Sequence, residues 1–284
     1  MKIFDAHMHY SKVQKFIDAA VLSGVEYSFD GYLAEREAVG IVGSICMGLV
    51  ESESLAFPDN NAFTPMMPDL DERPPDMYVC IGINPHTLND DVLRCIRAMI
   101  KEDKGIVGFK IYAGYYHYFI HDDVYAPIYK LAAEYGLTVA IHTGDTYSEN
   151  GLLEYSHPLT ADRLAVMYRD TQFVLCHMGD PWIMDACEVA YKNRNVFLDI
   201  SGLLAGGAAH IKDVENRPLA MQHYSQGLVY LNNYKKVLFG TDWPIVPMGA
   251  YVDFCKKIVP DSAYDDVFWG NAVRVYRGIM NYEL

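Results

Sequence analysis

With 284 residues, the chain is long enough for one barrel-sized domain or two smaller ones. Hydrophobic residues make up 51% and charged residues 21%, an ordinary globular balance. The formal net charge of −14 speaks against a nucleic-acid partner, because proteins that grip phosphate backbones carry a basic face; a local basic pocket for a small anion stays open. No apolar stretch of about 18 residues runs uninterrupted, so no membrane span is expected. The first residues lack the basic-then-apolar pattern of a signal peptide, and a cytoplasmic location is the default. Six cysteines (Cys46, Cys80, Cys95, Cys176, Cys187 and Cys255) form no CxxC pair and read as reduced, mostly buried thiols.

Eight short β-branched or aromatic runs recur along the chain. They are "KIFDAHMH" (2–9), "IVGSICMG" (41–48), "MYVCIGIN" (77–84), "GIVGFKIY" (105–112), "LTVAIHTG" (137–144), "TQFVLCHMG" (171–179), "NVFLDISG" (195–202) and "KKVLFGTDWP" (235–244). Most are bounded by glycine, proline or polar residues, as strands should be. Between them lie segments of helical spacing. Residues 90–105 set Val92, Leu93, Ile96 and Ile100 on one face and end at Gly105. Residues 122–136 offer an Asp cap, the stripe Tyr125, Ile128, Leu131 and Ala132, and a terminal Gly136; residues 159–170 start at a Thr cap. Strand and helix alternating eight times predict a parallel α/β fold. In one chain of this length that favours a single-domain (β/α)8 TIM barrel over 1–284. No GxGxxG follows the first strand, which weighs against a dinucleotide-binding sheet. The connection 49–76 has five prolines and many acids. Following the second strand, it lies at the carboxyl end of the barrel as a lid or substrate wall, or else as a plain surface loop.

Barrel enzymes collect their chemistry at the carboxyl ends of the strands. Strand one ends in His7 and His9, strand four carries Lys110, and strands five and six end in His142 and His177. Strand eight ends in Asp242; strands two, three and seven end in less distinctive groups. Side chains alternate along a strand, so His7 and His9 face the same way, into the mouth. With His142 and Asp242 they complete a nitrogen and oxygen ligand set that suits Zn²⁺, with Mn²⁺, Fe²⁺ or Co²⁺ as substitutes. Any one of these histidines alone is more often a packed strand residue than a ligand. The joint placement carries the reading, since the other six histidines do not share it.

The motifs "FDAHMH", "GFKIY", "AIHTGD", "CHMGDPW", "FGTDWP" and the late helix "VFWGNAVRVY" resemble, in order and over nearly the whole chain, the metal-dependent amidohydrolase superfamily. Within it they resemble the amidohydrolase family 2 group. The resemblance implies His7, His9, His142 and Asp242 as holders of a catalytic metal, and Asp242 also as the group that accepts a proton from the activated water. It implies His177 as a second-site ligand or a catalytic group that polarises substrate. Lys110 stands where some superfamily members carry a carboxylated lysine between two metals. The favoured reading here is one metal and an unmodified, substrate-orienting lysine; a lysine satisfied by an acid such as Asp5 is the bland alternative. The segment 113–123 contributes Tyr115, Tyr116 and Tyr118 as candidate substrate contacts, with Trp182 as a further wall and Asp145 and Tyr147 as weaker candidates; loop tyrosines serve equally in packing or subunit interfaces.

The leading functional expectation is a hydrolase that uses a metal-activated water on an ester, lactone or amide of a small molecule. The alternative is a metal-dependent non-oxidative decarboxylase of a small unsaturated or aromatic acid. Arginines would tell them apart, because a decarboxylase must hold a carboxylate; Arg36, Arg73 and Arg217 lie in or near mouth loops. A TatD-like nuclease shares the barrel and the HxH pair, but the acidic charge opposes it. A barrel that only binds metal has no need of a ligand set with an open water position. A homo-oligomer is compatible with the 22 tyrosines.

Overall fold

Runs that are buried on both faces, rather than alternating, form the interior of a parallel sheet. In the computed structural model, which describes residues 2–51 and 57–279, eight such strands follow one another in sequence order. They are β1 (Ile3–Met8), β2 (Ile41–Met47), β3 (Met77–Ile83), β4 (Ile106–Ile111), β5 (Thr138–Ile141), β6 (Gln172–Leu175), β7 (Val196–Asp199) and β8 (Val237–Leu238). Every neighbouring pair is parallel. The sheet closes through the residues after β8. The Ala6 N–H donates to the Phe239 carbonyl at 2.9 Å, His9 N–H to Trp243 at 2.8 Å, and Asp242 N–H to His7 at 2.7 Å. The expected single-domain (β/α)8 barrel is the fold.

Closure needs close backbone approach at one point. A Cβ on Gly240 would lie 2.7 Å from the His7 Cβ, so any side chain there would push β1 off its partner.

Helices cover the outside of the sheet. The helix Asp90–Glu102 stops three residues before Gly105, with Asn89 as its cap, and buries Ile96 and Ile100. Asp122 does not cap the next segment, because its carboxylate accepts from the Phe119 N–H instead. The helix there runs Ala126–Tyr135 and ends at Gly136 in the left-handed region, φ 68°. Thr160 opens the helix Thr160–Met167 as its first residue rather than as a cap; its hydroxyl donates to the His157 carbonyl. A C-terminal segment packs Val275, Tyr276 and Ile279 against Phe4, Tyr78 and Val107 near the amino ends of the strands. Each fully buried apolar side chain of that kind is worth roughly 1.5–3 kcal/mol. That end of the barrel is therefore plugged, and chemistry is left to the other. All six cysteines are free, and Cys95 is the exposed one. Among the described residues no helix is long and apolar enough to cross a membrane.

Candidate metal centre and active site

The alternation along β1 brings both histidines inward, and hydrogen bonding decides what each offers. His7 Nδ1 lies 3.0 Å from Asp199 Oδ2. A carboxylate only accepts, so His7 carries its proton on Nδ1 and presents a bare Nε2. His9 Nδ1 faces the Met47 carbonyl at 3.2 Å, which leaves its Nε2 bare as well. Both bare nitrogens point at Asp242 Oδ1, at 3.3 Å from His7 and 3.2 Å from His9. That oxygen is buried and accepts no hydrogen bond from the described residues. Three acceptors thus converge with no proton between them, an arrangement that repels itself unless a cation sits there. The donor set, two imidazole nitrogens and a carboxylate oxygen within 4.8 Å of one another, fits a divalent ion.

His142 and His177 adjoin this trio. His142 donates from Nε2 to the Asp145 carbonyl at 2.8 Å, and His177 from Nδ1 to the Ser201 carbonyl at 3.0 Å. Their remaining nitrogens face each other at 3.1 Å. His177 Nδ1 is also 3.9 Å from Asp242 Oδ2. The fit is tight enough to need a glycine: at Gly202 (φ 56°) a Cβ would lie 2.6 Å from Asp242 Oδ2 and 2.8 Å from His177 Nδ1. His177 (φ 61°) and Asp242 (φ 62°) themselves occupy the left-handed region. β6 and β8 accordingly end earlier than their sequence runs, and the backbone turns to aim these side chains.

Burial dominates the electrostatics. It pulls the His9 and His177 imidazoles down to about 4, and His142 well below the usual histidine range. All three are therefore neutral near pH 7, as metal ligands must be. Burial pushes the Asp242 carboxyl up, but the His7 and His177 imidazoles more than reverse this and hold it well below the usual carboxylate range.

Lys110 is fully buried. Its Nζ lies 3.1 Å from Cys176 Sγ and 3.4 Å from His7 Nε2. Asp5 is not its partner. That carboxylate accepts from the Thr241 N–H and hydroxyl and from the His7 N–H, and so ties β1 to the segment that closes the barrel. Burial raises the Asp5 carboxyl to about 6.

Strand seven holds more than its sequence showed. Besides His7, Asp199 accepts at Oδ1 from the His177 and Ser201 N–H groups, at 3.0 and 3.1 Å. One carboxylate thus fixes the tautomer of His7 and the backbone beneath His177, a supporting role that metal-site histidines commonly require. The acid in the middle of the apolar run "VFLDIS" was the available signal.

A cavity opens above this floor, lined by His9, Lys110, His142, His177 and Asp242 and walled by aromatic and aliphatic side chains. A second chamber shares Tyr115, His142, His177 and Asp242 with it and adds Asp145, Asp180 and Gly202. Of the expected substrate contacts, Tyr115 lines both, its ring centroid 4.8 Å from that of His142. Tyr116 turns into the protein, with its hydroxyl 3.3 Å from the Asp59 carbonyl. Tyr118 lines a separate pocket with His86 and His117, and Trp182 packs on His157. The weaker candidates Tyr147 and Asp145 also reach the site, Tyr147 in both chambers and Asp145 in the second, while Tyr112, Phe16 and Phe57 line the main cavity with no sequence signal of their own. From the loop 49–76, Leu49 and Phe57 reach the cavity; residues 52–56 of that loop lie outside the described residues. Arg36, Arg73 and Arg217 pair with Asp76, Asp103 and Asp213, away from it.

A closed (β/α)8 barrel with a histidine and carboxylate cluster at the carboxyl ends of its strands defines a class of metal-dependent enzymes. The chain belongs to the amidohydrolase family, whose model matches residues 4–278. That family is divalent-metal-dependent and includes both hydrolases and decarboxylases. No curated protein matches the chain. Three similar solved structures share its fold over nearly their whole length. An uncharacterised TIM-barrel protein from Bordetella bronchiseptica is 18% identical, with TM-score 0.69, covering 98% of this chain and 99% of that one. A probable 2-pyrone-4,6-dicarboxylic acid hydrolase from Acinetobacter baumannii, with citric acid bound, is 13% identical, with TM-score 0.63, covering 97% and 99%. A dihydroxybenzoic acid decarboxylase from Polaromonas, with bound manganese and 2-nitroresorcinol, is 13% identical, with TM-score 0.62, covering 97% and 96%.

Proposed function

We propose that this protein is a metal-dependent hydrolase acting on an ester, lactone or amide carbonyl of a small molecule. The observation that carries this reading is the lining of the cavity. Among its described residues there is no arginine, and the one cation, Lys110, lies at the floor beside His7. An enzyme that must seize a carboxylate before expelling it generally offers such a group a fork of donors.

His7, His9, His142 and Asp242 would hold the ion, with Zn²⁺ the first choice and Mn²⁺, Fe²⁺ or Co²⁺ as substitutes. When bound there, the ion would supply the chemistry of a divalent Lewis acid, acidifying water and polarising a carbonyl. Asp242, ionised throughout the neutral range, accepts the proton of the attacking water. His177, neutral and fixed through its Nδ1 proton on the Ser201 carbonyl, stands beside the metal site with Nε2 as its available nitrogen and acts as the catalytic group that meets substrate. Lys110 acts unmodified and orients the carbonyl oxygen as a donor. The loop 49–76 acts as a substrate wall through Leu49 and Phe57.

A second reading, decarboxylation of an aromatic acid, is favoured by Lys110 itself, a buried cation at the floor of an aromatic cavity. Hydrolysis in ¹⁸O-labelled water decides between the two. The hydrolase reading expects one labelled oxygen in the product acid from a lactone or ester panel. Release of CO₂ from aromatic acids, with no turnover of that panel, overturns it.

A further inference from the structure

One hydroxyl joins two histidines that do different work. Ser201, two residues past β7, is fully buried. Its Oγ lies 3.0 Å from His7 Nδ1 and 3.1 Å from His177 Nδ1, and it hydrogen-bonds Asp199 Oδ1. A hydroxyl has one proton to donate and two lone pairs that accept, whereas a carboxylate only accepts. The Ser201 proton therefore goes to Asp199, and the lone pairs take an Nδ1 proton from each ring. The other partners of the two nitrogens agree: His7 Nδ1 meets Asp199 Oδ2 and His177 Nδ1 meets the Ser201 carbonyl, each at 3.0 Å. Turning the hydroxyl toward either ring would give up the bond to Asp199 and set a bare Nδ1 against a second oxygen acceptor, which is costly in a buried site. The Nε2 atoms left bare serve different places. That of His7 faces Asp242 Oδ1, and that of His177 faces His142 at the cavity wall.

We infer that Ser201 is a positioning residue that fixes both tautomers through one proton network, so that the histidine holding the metal and the histidine meeting the substrate are set together. Asp199 reaches the His7 ring directly and the His177 ring through this hydroxyl. Removing the hydroxyl leaves His7 its carboxylate, a charge-assisted bond, and leaves His177 only a neutral carbonyl. His177 is therefore the ring that loses its fixed tautomer first. The inference rests on the roles proposed for His7 and His177, and holds for either of the two reactions.

Metal-free protein carrying ¹⁵N-labelled histidine tests it without turnover. At neutral pH the wild-type His177 ring, identified by the signals missing in His177→Gln, is expected to show a protonated Nδ1 and a bare Nε2. In Ser201→Ala its two nitrogen resonances should move toward each other as the tautomers mix, while His7 stays protonated at Nδ1. Once metal is added, kcat of Ser201→Ala should fall by about tenfold with KM nearly constant, and metal affinity should fall less than that. Tyr251→Phe is the comparison. The Tyr251 hydroxyl holds the same turn through backbone, donating to the Ile200 carbonyl at 2.6 Å and accepting from the Leu203 N–H at 2.9 Å. Its loss should leave the His177 resonances in place. A wild-type His177 protonated at Nε2 overturns the inference. So do unmoved resonances in Ser201→Ala, an equal movement in Tyr251→Phe, or a metal affinity that falls further than kcat. Wild-type protein that binds no divalent ion overturns both the inference and the metal site. The expected resonances without turnover of any ester leave the inference standing and remove the hydrolase reading alone.

Discussion

The floor of this cavity and the collar above it, the rings of Phe16, Phe57, Tyr112 and Tyr115, are built by different parts of the chain. The floor residues come from strands and the turns that end them, and each is at most 8% exposed and tied to a fixed partner. The collar and its rim come largely from the helix Gln14–Ser23 and from loops, and Tyr147 at the rim is 46% exposed. Groups that must sit within a fraction of an ångström for chemistry ride on rigid elements, while selectivity is left to segments free to vary. Changes in the floor should therefore alter metal affinity, rate and acid stability; changes in the collar should alter only which molecule is bound.

The largest separation is expected from Asp242→Asn, which removes the proton acceptor but keeps an oxygen. Turnover should fall by about 10²–10⁴-fold, measured as kcat with metal content checked in parallel. A loss of less than tenfold would take Asp242 out of the proton path.

Acid stability is the next contrast. Burial depresses His9 and His177 to about 4 in the folded state, against about 6.5 unfolded. Between those values the unfolded chain binds more protons, so stability is intact above about pH 6.5 and declines as pH falls toward 4. Each group accounts for roughly 3 kcal/mol at the bottom of that window. The urea midpoint of metal-free protein should drop between pH 7 and 4.5. His177→Gln should flatten that slope and Phe57→Ala should not.

Asp199→Asn comes third. An amide can donate to His7 Nδ1 and so disfavour the tautomer that leaves Nε2 bare. Metal affinity is expected to weaken by about 10–100-fold, read by competition with a chromogenic chelator. Unchanged affinity would reduce Asp199 to a packing residue. The smallest effect is that of Phe57→Ala on turnover: KM for an aryl ester should rise by about tenfold or less, with kcat nearly constant. A fall in kcat with constant KM would mean that floor and collar are not separable.

Several parts of this arrangement were readable from residue order. Apolar runs at regular spacing implied eight strands, and the two-residue period put His7 and His9 on one face. The gathering of His142, His177 and Asp242 followed from their positions at strand ends. Asp199 carries no such local signal, because a strand acid has no visible partner until the surrounding strands are placed; its contact with His7 spans 192 residues. Tyr115 and Tyr116 are adjacent and chemically alike, yet one walls the cavity and the other is turned into the protein. Residue order makes Asp5 a candidate neighbour of Lys110, but Asp5 is taken up by closing the barrel.

By itself the sequence determined the strand count, the parallel class, and the identity of the residues at the mouth, because hydrophobic period and turn chemistry are local. Tertiary structure alone decided which nitrogen each histidine offers and which carboxylate supports His7. It also decided which aromatic residues surround the substrate. Those depend on hydrogen-bond partners and ring contacts brought together by barrel closure, and no local pattern records them.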